Sequence, residues 1–482
     1  MNCRGFDFFK GITMKESRVL LLIVLCLCLI VFGQNQDSTA KNNVQELTKE
    51  ERILGLVQIY STAKQHFAYF ERLGDLDWDK AFKEYLPAVE KDQSLLEYYR
   101  TLQRFIALLQ DGHTNVYLPK QIENRMDRLP LKIEYIQDQW VVTERFPVKE
   151  VLEEDIPVGS VVLKIEGLDA NAYIEQNFFP YLAHGTIQGK RTAVNYRLFF
   201  QEGQEVKIAV KYPDGGVRDR TVFANRKTVR WTNELQGKYT PALRQGPDFG
   251  TKKLEDNILY IRYRECRDGI QKEFCKLILN MNVVPDAMII DLRGNPGGNT
   301  PQQAVSHLVS SPFRLYQFKT RWSISYIDAQ MSSQEDEAHK KAVLESKRTF
   351  MELPDKMNTD WFVISDGKTE LPPAERSYTG RLVILIDNET GSAAEDMVVL
   401  LHGAGRATVI GEPSAGSTGQ PLMIPLPGGG SARICTANVK YPDGKEFVGV
   451  GIQPDIAVNR TIEGIAKGQD EILDAAVKFF QQ

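Results

Sequence analysis

The first patterned stretch of the chain opens at Thr48. Thr48 and Glu51 stand in capping-box spacing, and Ile53, Leu54, Leu56, Val57 and Tyr60 follow at helical intervals. A second stripe of Leu95, Tyr98, Tyr99, Leu102, Phe105, Ile106 and Leu109 predicts another amphipathic helix, closing at Asp111-Gly112. Together these predict a small helical N-terminal domain over residues 48–128. From about 130 the texture shifts to short alternating runs such as Trp140-Val141-Val142 and Val206-Lys207-Ile208-Ala209-Val210, broken at Pro157-Val158-Gly159 and Asp214-Gly215-Gly216. That pattern predicts a mostly β module over 129–228. Beyond 250, strand-like runs at 258–262, 287–292 and 382–387 alternate with helix-like stretches near 269–281, from Pro301 and from Ser392. Such alternation predicts an α/β core with a largely parallel sheet over 250–482. A charged, helix-prone insertion at 315–375, with Glu335-Asp336-Glu337 and Lys340-Lys341, reads as a solvated surface excursion.

One apolar run fits none of these periods. Val19 to Phe32 is unbroken, preceded by Lys15 and Arg18 and followed by Gly33 and polar sequence, the arrangement of a secretory signal peptide. Residues 1–33 are therefore expected to be removed on export to the periplasm or another extracytoplasmic space, with 34–47 a disordered spacer. The run is short for a membrane span, and an uncleaved anchor is the alternative. Export leaves Cys266, Cys275 and Cys435, an odd count that argues against a disulfide framework. A Cys266–Cys275 bridge and buried thiols both stay open.

Composition narrows the function classes. The 482 residues include 42% apolar and 25% charged side chains, enough for sizeable cores in two to four domains. The formal charge of -4 is spread along the chain, which gives nucleic acid or an anionic membrane nothing to hold. No CxxC, HExxH or clustered His and Cys spacing occurs, so neither a metal nor another cofactor is expected.

Two segments carry candidate chemistry. In VILIDNETGSAAEDMVVLLHGAG, residues 383–405, an apolar strand meets a tight turn and Ser392 opens an apolar helix. Unpaired N–H groups and the positive end of the helix dipole converge there, and the Ala393 N–H is a candidate oxyanion donor. An ordinary N-cap serine is the plain alternative. In MIIDLRGNPGGNTPQQAV, residues 288–305, a buried-looking strand runs into a glycine-rich turn, with Thr300 and Pro301 placed as an N-cap and N1 pair. Backbone N–H groups of such a turn approach a ligand closely at the carboxyl end of a strand. Gly297 or Gly298 is the candidate second oxyanion donor.

Taken in order, LLQDGHTNVYL (108–118), DLRGNPGG (291–298), TGSAAE (390–395), GEPSAGSTGQ (411–420) and GVGIQPDIAV (449–458) resemble the motifs of the tail-specific, or C-terminal-processing, proteases and the tricorn core group. The resemblance implies an α/β core of the ClpP/crotonase-like peptidase type with Ser392 as nucleophile. PVGSVVLKIEGL, residues 157–168, resembles a PDZ-type segment, so the β module is expected to be PDZ-like and to capture an unstructured polypeptide or its C-terminus. Proteases of the Ser–Lys branch carry their base in a Gly-Lys-Gly segment aligned with Gly416-Ser417-Thr418, and no Lys stands there. The tricorn-like branch uses a His, matched by His113, whose bland alternative is an exposed or capping histidine. The other histidines, at 66, 184, 307, 339 and 402, read as structural. Glu446 is the match for an assisting Glu, with a surface carboxylate as its alternative. The Ser that precedes the tricorn His is replaced by Gly112. The rival to peptidase chemistry is a degenerate family member that binds a peptide or small apolar ligand.

Overall fold

A computed structural model describes residues 46–146, 156–228, 247–321, 341 and 361–482. The signal-like run, the spacer to Gln45, Glu335-Asp336-Glu337 and Lys340 lie outside the described residues.

The chain enters through helix Lys49–His66, where Thr48 Oγ1 accepts the Glu51 N–H at 3.2 Å and Glu51 Oε2 accepts the Thr48 N–H at 2.8 Å. Helices Trp78–Glu90 and Leu95–Ala107 follow, and Leu56, Ile59, Tyr98, Leu102 and Phe105 lose all solvent contact between them. Trp78 stacks on Phe105 with centroids 4.3 Å apart. The third helix stops before its expected end at Gly112. Leu108, Leu109 and Gln110 tighten to i−3 hydrogen bonds, and Gln110 turns left-handed at φ 46°. Beyond it, buried Asp111 accepts the Thr114 hydroxyl at 2.7 Å, a local side-chain bond that competes with further helix.

Five antiparallel strands, Leu131–Ile136, Gln139–Arg145, Val161–Ile165, Glu205–Lys211 and Val217–Phe223, pair in that order, and Leu168–Asp169 adds to the third. Glu205–Lys211 alternates exposed and buried positions as its sequence requires. Its apolar face, with Trp140, Val142 and Val206, packs with residues of helices Ala170–Asn177 and Ile187–Arg197. Asn195 of the second helix clamps Ile133, accepting its N–H at 3.0 Å and donating to its carbonyl at 2.7 Å.

The main sheet runs Phe249–Lys253, Ile258–Tyr263, Ala287–Asp291, Arg381–Ile386, Thr408–Gly411 and Ile456–Ala457, all pairs parallel except the first. Its central strands are apolar on both faces because both are covered: Ile289, Val383, Ile384 and Leu385 are fully buried. Helix Glu471–Phe480 packs Ile472 and Ala476 onto one face. The described ends of the 315–375 insertion are strands: Gln317–Arg321 lies between Trp361–Asp366 and Ala437–Lys440. Pairing with a distant strand overrides the charged, helix-prone composition there.

A small sheet positions the site. Asn115–Tyr117 pairs antiparallel with Ser431–Cys435, itself the partner of Pro421–Pro425, so a strand from the N-terminal segment extends a hairpin of the core. Cys266, Cys275 and Cys435 are free thiols, and Cys266 and Cys435 are buried. No helix among the described residues is long and apolar enough to cross a membrane.

Candidate active site

The two turns singled out in sequence lie at the carboxyl ends of neighbouring parallel strands, with Asp291 in register with Leu385. Open α/β sheets place their sites at this edge. Asp387 ties the turns together, its Oδ1 accepting the N–H groups of Gly294 at 2.9 Å and of Glu389 and Thr390 at 3.0 Å. Arg293 braces the first turn with Nη2 2.7 Å from Asp291 Oδ2 and Nη1 2.6 Å from Asp470 Oδ1. Burial works against the Asp291 anion, but the Arg293 fork outweighs it and holds the carboxyl at about 2.

Ser392 precedes helix Ala393–Gly403 in left-handed backbone, φ 56° and ψ −130°. Non-glycine residues seldom hold such a conformation unless their surroundings enforce it. Here the Ser392 N–H donates to the Ser417 carbonyl at 2.8 Å and lies 3.2 Å from Glu395 Oε2. Its Oγ is 3.1 Å from His113 Nε2, and His113 Nδ1 is 2.7 Å from Ser417 Oγ. Burial of the imidazole lowers its pKa well below the usual histidine value, and Arg433 and His184 push the same way. The ring is therefore neutral near pH 7. A proton on Nδ1, donated to Ser417, leaves the Nε2 lone pair facing the Ser392 hydroxyl.

Ser417 was not assigned a role from sequence. It occupies the position where the Ser–Lys branch carries its lysine, and it supplies the hydroxyl missing at Gly112. A Cβ on Gly112 would lie 2.5 Å from Ser417 Oγ and 2.9 Å from His184 Nδ1, so the space of a side chain at 112 is filled from the opposite loop. His184 packs at the same corner, where burial lowers it to about 4.

Glu395 is the second residue the sequence reading left unassigned, although Ser392-x-x-Glu395 has capping-box spacing. Fully buried, it accepts the Ser414 hydroxyl and the N–H groups of Gly416 at 2.8 Å and Ser417 at 2.9 Å. The carboxyl thereby fastens loop 414–417 to the first turn of the helix. Burial pushes Glu395 up to about 7, against the pull of these donors. Next to it, Asp396 accepts hydroxyls of Thr300 at 2.6 Å and Thr418 at 3.0 Å. Thr300 is therefore not the expected N-cap: helix Gln302–Ser306 begins after Pro301 with no side-chain cap.

Gly297 has φ 104°, and a Cβ there would lie 2.4 Å from Ser392 Cβ and 2.9 Å from the Ala393 nitrogen. Glycine is what allows this turn to lie against the serine. The Gly297 N–H is engaged with Asn295 Oδ1 at 2.9 Å. The N–H groups of Gly298 and Ala393 make no hydrogen bond among the described residues.

Glu446 is not brought to this cluster. Half-exposed, it pairs with Lys440 at 2.6 Å. The closing segment reaches the site through backbone instead, the Gly449 N–H donating to the Gly416 carbonyl at 2.7 Å and the Ile452 N–H to Ser414 Oγ at 2.7 Å. Among the described residues no group of three or more His, Cys, Asp or Glu is arranged to hold a metal.

Residues 257–458 match the model of Peptidase family S41. Over 456 residues the chain is 22% identical to a carboxyl-terminal-processing protease of Picosynechococcus sp., covering 94% of this chain and 92% of that one. A carboxy-terminal-processing protease of Bartonella bacilliformis is 36% identical over 92 residues, 19% of this chain and 21% of the other. The crystal structure of mature CPAF has the same fold, with a TM-score of 0.71 at 16% identity over 90% of this chain and 97% of that chain. Residues 257–458, the core that holds both turns, match Peptidase family S41, and the chain is similar along nearly its whole length to a carboxyl-terminal-processing protease, so it is a serine peptidase related to the tail-specific, carboxyl-terminal-processing proteases.

Proposed function

We propose that the chain is an exported endopeptidase that hydrolyses unstructured polypeptides, or their C-terminal tails, through an acyl-enzyme on Ser392. His113 Nε2 takes the Ser392 proton as Oγ bonds to the scissile carbonyl carbon. The carbonyl oxygen becomes an oxyanion facing the N–H groups of Gly298 and Ala393 at the positive end of the helix. His113 then returns the proton to the leaving amine, and the same exchange with water releases the acyl group. Ser417 accepts from Nδ1 and holds the tautomer, and Glu395 holds Ser417. Gly297 provides the close approach, with Gly298 as donor. The β module captures the substrate as a PDZ-like unit, by strand addition.

The observation that carries this reading is the line of contacts Ser392 Oγ, His113 Nε2, His113 Nδ1 and Ser417 Oγ, at 3.1 and 2.7 Å. The test is hydrolysis of an unstructured peptide mixture by purified residues 34–482, beside Ser392→Ala and His113→Ala variants. Loss of cleavage in both folded variants is the expected result. Full activity in Ser392→Ala would sink the assignment, and full activity in His113→Ala would move the base elsewhere. Export is checked separately by sequencing the N-terminus of the mature protein, expected after Gly33.

A further inference from the structure

His113 stands on neither a helix nor a strand. It is part of the turn Asp111-Gly112-His113-Thr114, between the end of helix Leu95–Ala107 and strand Asn115–Tyr117. The ends of that turn are closed twice. The Thr114 N–H donates to the Asp111 carbonyl at 3.0 Å, and the Thr114 hydroxyl donates to Asp111 Oδ2 at 2.7 Å. The same hydroxyl accepts the Cys435 N–H at 3.0 Å, so one oxygen joins the turn to the core strand Ser431–Cys435. The middle of the turn is held as well, the Gly112 carbonyl accepting Asn115 Nδ2 at 2.7 Å and Arg433 Nη2 at 2.9 Å. Thr114 is fully buried and Asp111 is 1% exposed. Burial raises the Asp111 carboxyl, and Arg72 and the Thr114 hydroxyl oppose it.

A buried polar pair is costly to fold, and apolar groups of the same shape can be as stable. What the hydrogen bonds add is a single geometry with fixed lengths and directions. This pair sits where geometry decides the chemistry. One residue before Thr114, the imidazole has to keep Nε2 3.1 Å from Ser392 Oγ and Nδ1 2.7 Å from Ser417 Oγ at the same time. A swing of the turn lengthens at least one of these contacts, and a misplacement of about 1 Å costs on the order of a hundredfold in rate.

We infer that Asp111 and Thr114 are positioning residues for catalysis, a clamp that closes the turn so that the His113 ring stays in line between Ser392 and Ser417. The inference rests on the Ser392–His113 reading, and its test is arranged to separate the two. Thr114→Val, which keeps the shape and removes the hydroxyl, is compared with Thr114→Ser, Asp111→Asn and His113→Ala. The first readout is the rate at which a fluorophosphonate labels Ser392, which needs the nucleophile and its base but no peptide binding. In folded Thr114→Val, labelling and kcat on a peptide are both expected to fall roughly ten- to a hundredfold, with KM near wild type. Thr114→Ser restores the hydroxyl and should recover most of that rate. The acidic limb of kcat/KM should also move up toward pH 6.5 in Thr114→Val, because burial is what lowers His113 and a loosened ring regains water. Partial unfolding would reduce the amplitude and leave the limb in place. If Thr114→Val does not fold, Asp111→Asn reads the same contact: a neutral acceptor holds the hydroxyl less strongly, so the same shift is expected with a loss of about fivefold. Labelling of His113→Ala at the wild-type rate would overturn the Ser392–His113 reading and the clamp with it. A His113-dependent rate that Thr114→Val and Asp111→Asn leave unchanged, or equal losses in Thr114→Ser and Thr114→Val, would overturn the clamp alone.

Discussion

His113 sits between two serine hydroxyls, and in the proposed chemistry one is deprotonated while the other holds the ring. Without Ser417 Oγ at 2.7 Å the Nδ1 proton loses its acceptor and the productive tautomer loses its advantage. Ser417→Ala should lower kcat roughly ten- to a hundredfold with little change in KM, read from initial rates. Gly112→Ser, which puts a side chain onto Ser417, should be inactive, and Ser417→Gly should partly restore it by clearing the space. Failure of the second change to recover any rate would show that the two hydroxyls are not interchangeable. Lowered by burial, His113 remains neutral over the neutral pH range, so the acidic limb of kcat/KM belonging to it should lie below pH 6.5. A limb above 6.5 that survives Glu395→Gln would contradict this. Ser392 adds a stability test. Its left-handed backbone is strained for any residue with a Cβ, so Ser392→Gly should be more stable than Ser392→Ala by about 1 kcal/mol in urea unfolding.

At the scale of elements, the helix that begins at Ala393 and the loop 414–417 act as one unit because Glu395 bonds to both. Replacing it with Gln turns one acceptor into a donor among donors, which should cost about 1–3 kcal/mol and reduce kcat as Ser417 loosens. The pH dependence has a definite sign. The folded-state value is raised from 4.5 to about 7, so the stability this group contributes is present below 4.5 and lost as pH rises through 7. Relative to Glu395→Gln, the wild-type protein should lose up to about 3 kcal/mol across that window in denaturant titrations at several pH values. A flat difference would mean that the carboxylate is ionised throughout. Legibility also differs between elements. Helix and strand stripes over 49–66, 95–107, 205–211 and 381–403 follow local periods and appear where the sequence places them, while helix Trp78–Glu90 is one the stripes did not mark. The early end of Leu95–Ala107 and the strands flanking the insertion depend on partners elsewhere in the chain.

For the whole molecule, a buried ion network joins the antiparallel sheet to the main one. Arg460 reaches Glu134 at 2.6 Å and Glu412 at 2.9 Å, while Lys132 pairs with Glu134 at 2.9 Å and with Glu389 in the turn before Ser392. Cutting Arg460→Met leaves Glu412 buried without its cation and Glu134 with Lys132 alone, and about 3–5 kcal/mol should be lost in urea unfolding. Lys467→Ala, which removes the exposed pair with Glu463, should leave the unfolding midpoint essentially unchanged. Similar small losses in both would show that the network does not hold the two sheets in place.

The order of elements, the glycine-rich turn, the serine at a helix start and the histidine after an apolar helix were determined by the sequence itself. Helical and strand periods, caps and tight turns act over a few residues, so composition and spacing carry them. Tertiary structure alone decided which groups meet. His113 is 279 residues from Ser392 and 304 from Ser417, and the pairing of Asn115–Tyr117 with Ser431–Cys435, with Thr114 Oγ1 accepting the Cys435 N–H, brings these segments together. The same folding leaves Glu446 on Lys440 and puts Glu395 beneath the serine. The meeting of His113 with both serines, and of Glu395 with loop 414–417, depends on contacts between distant segments, and no local pattern in the chain encodes it.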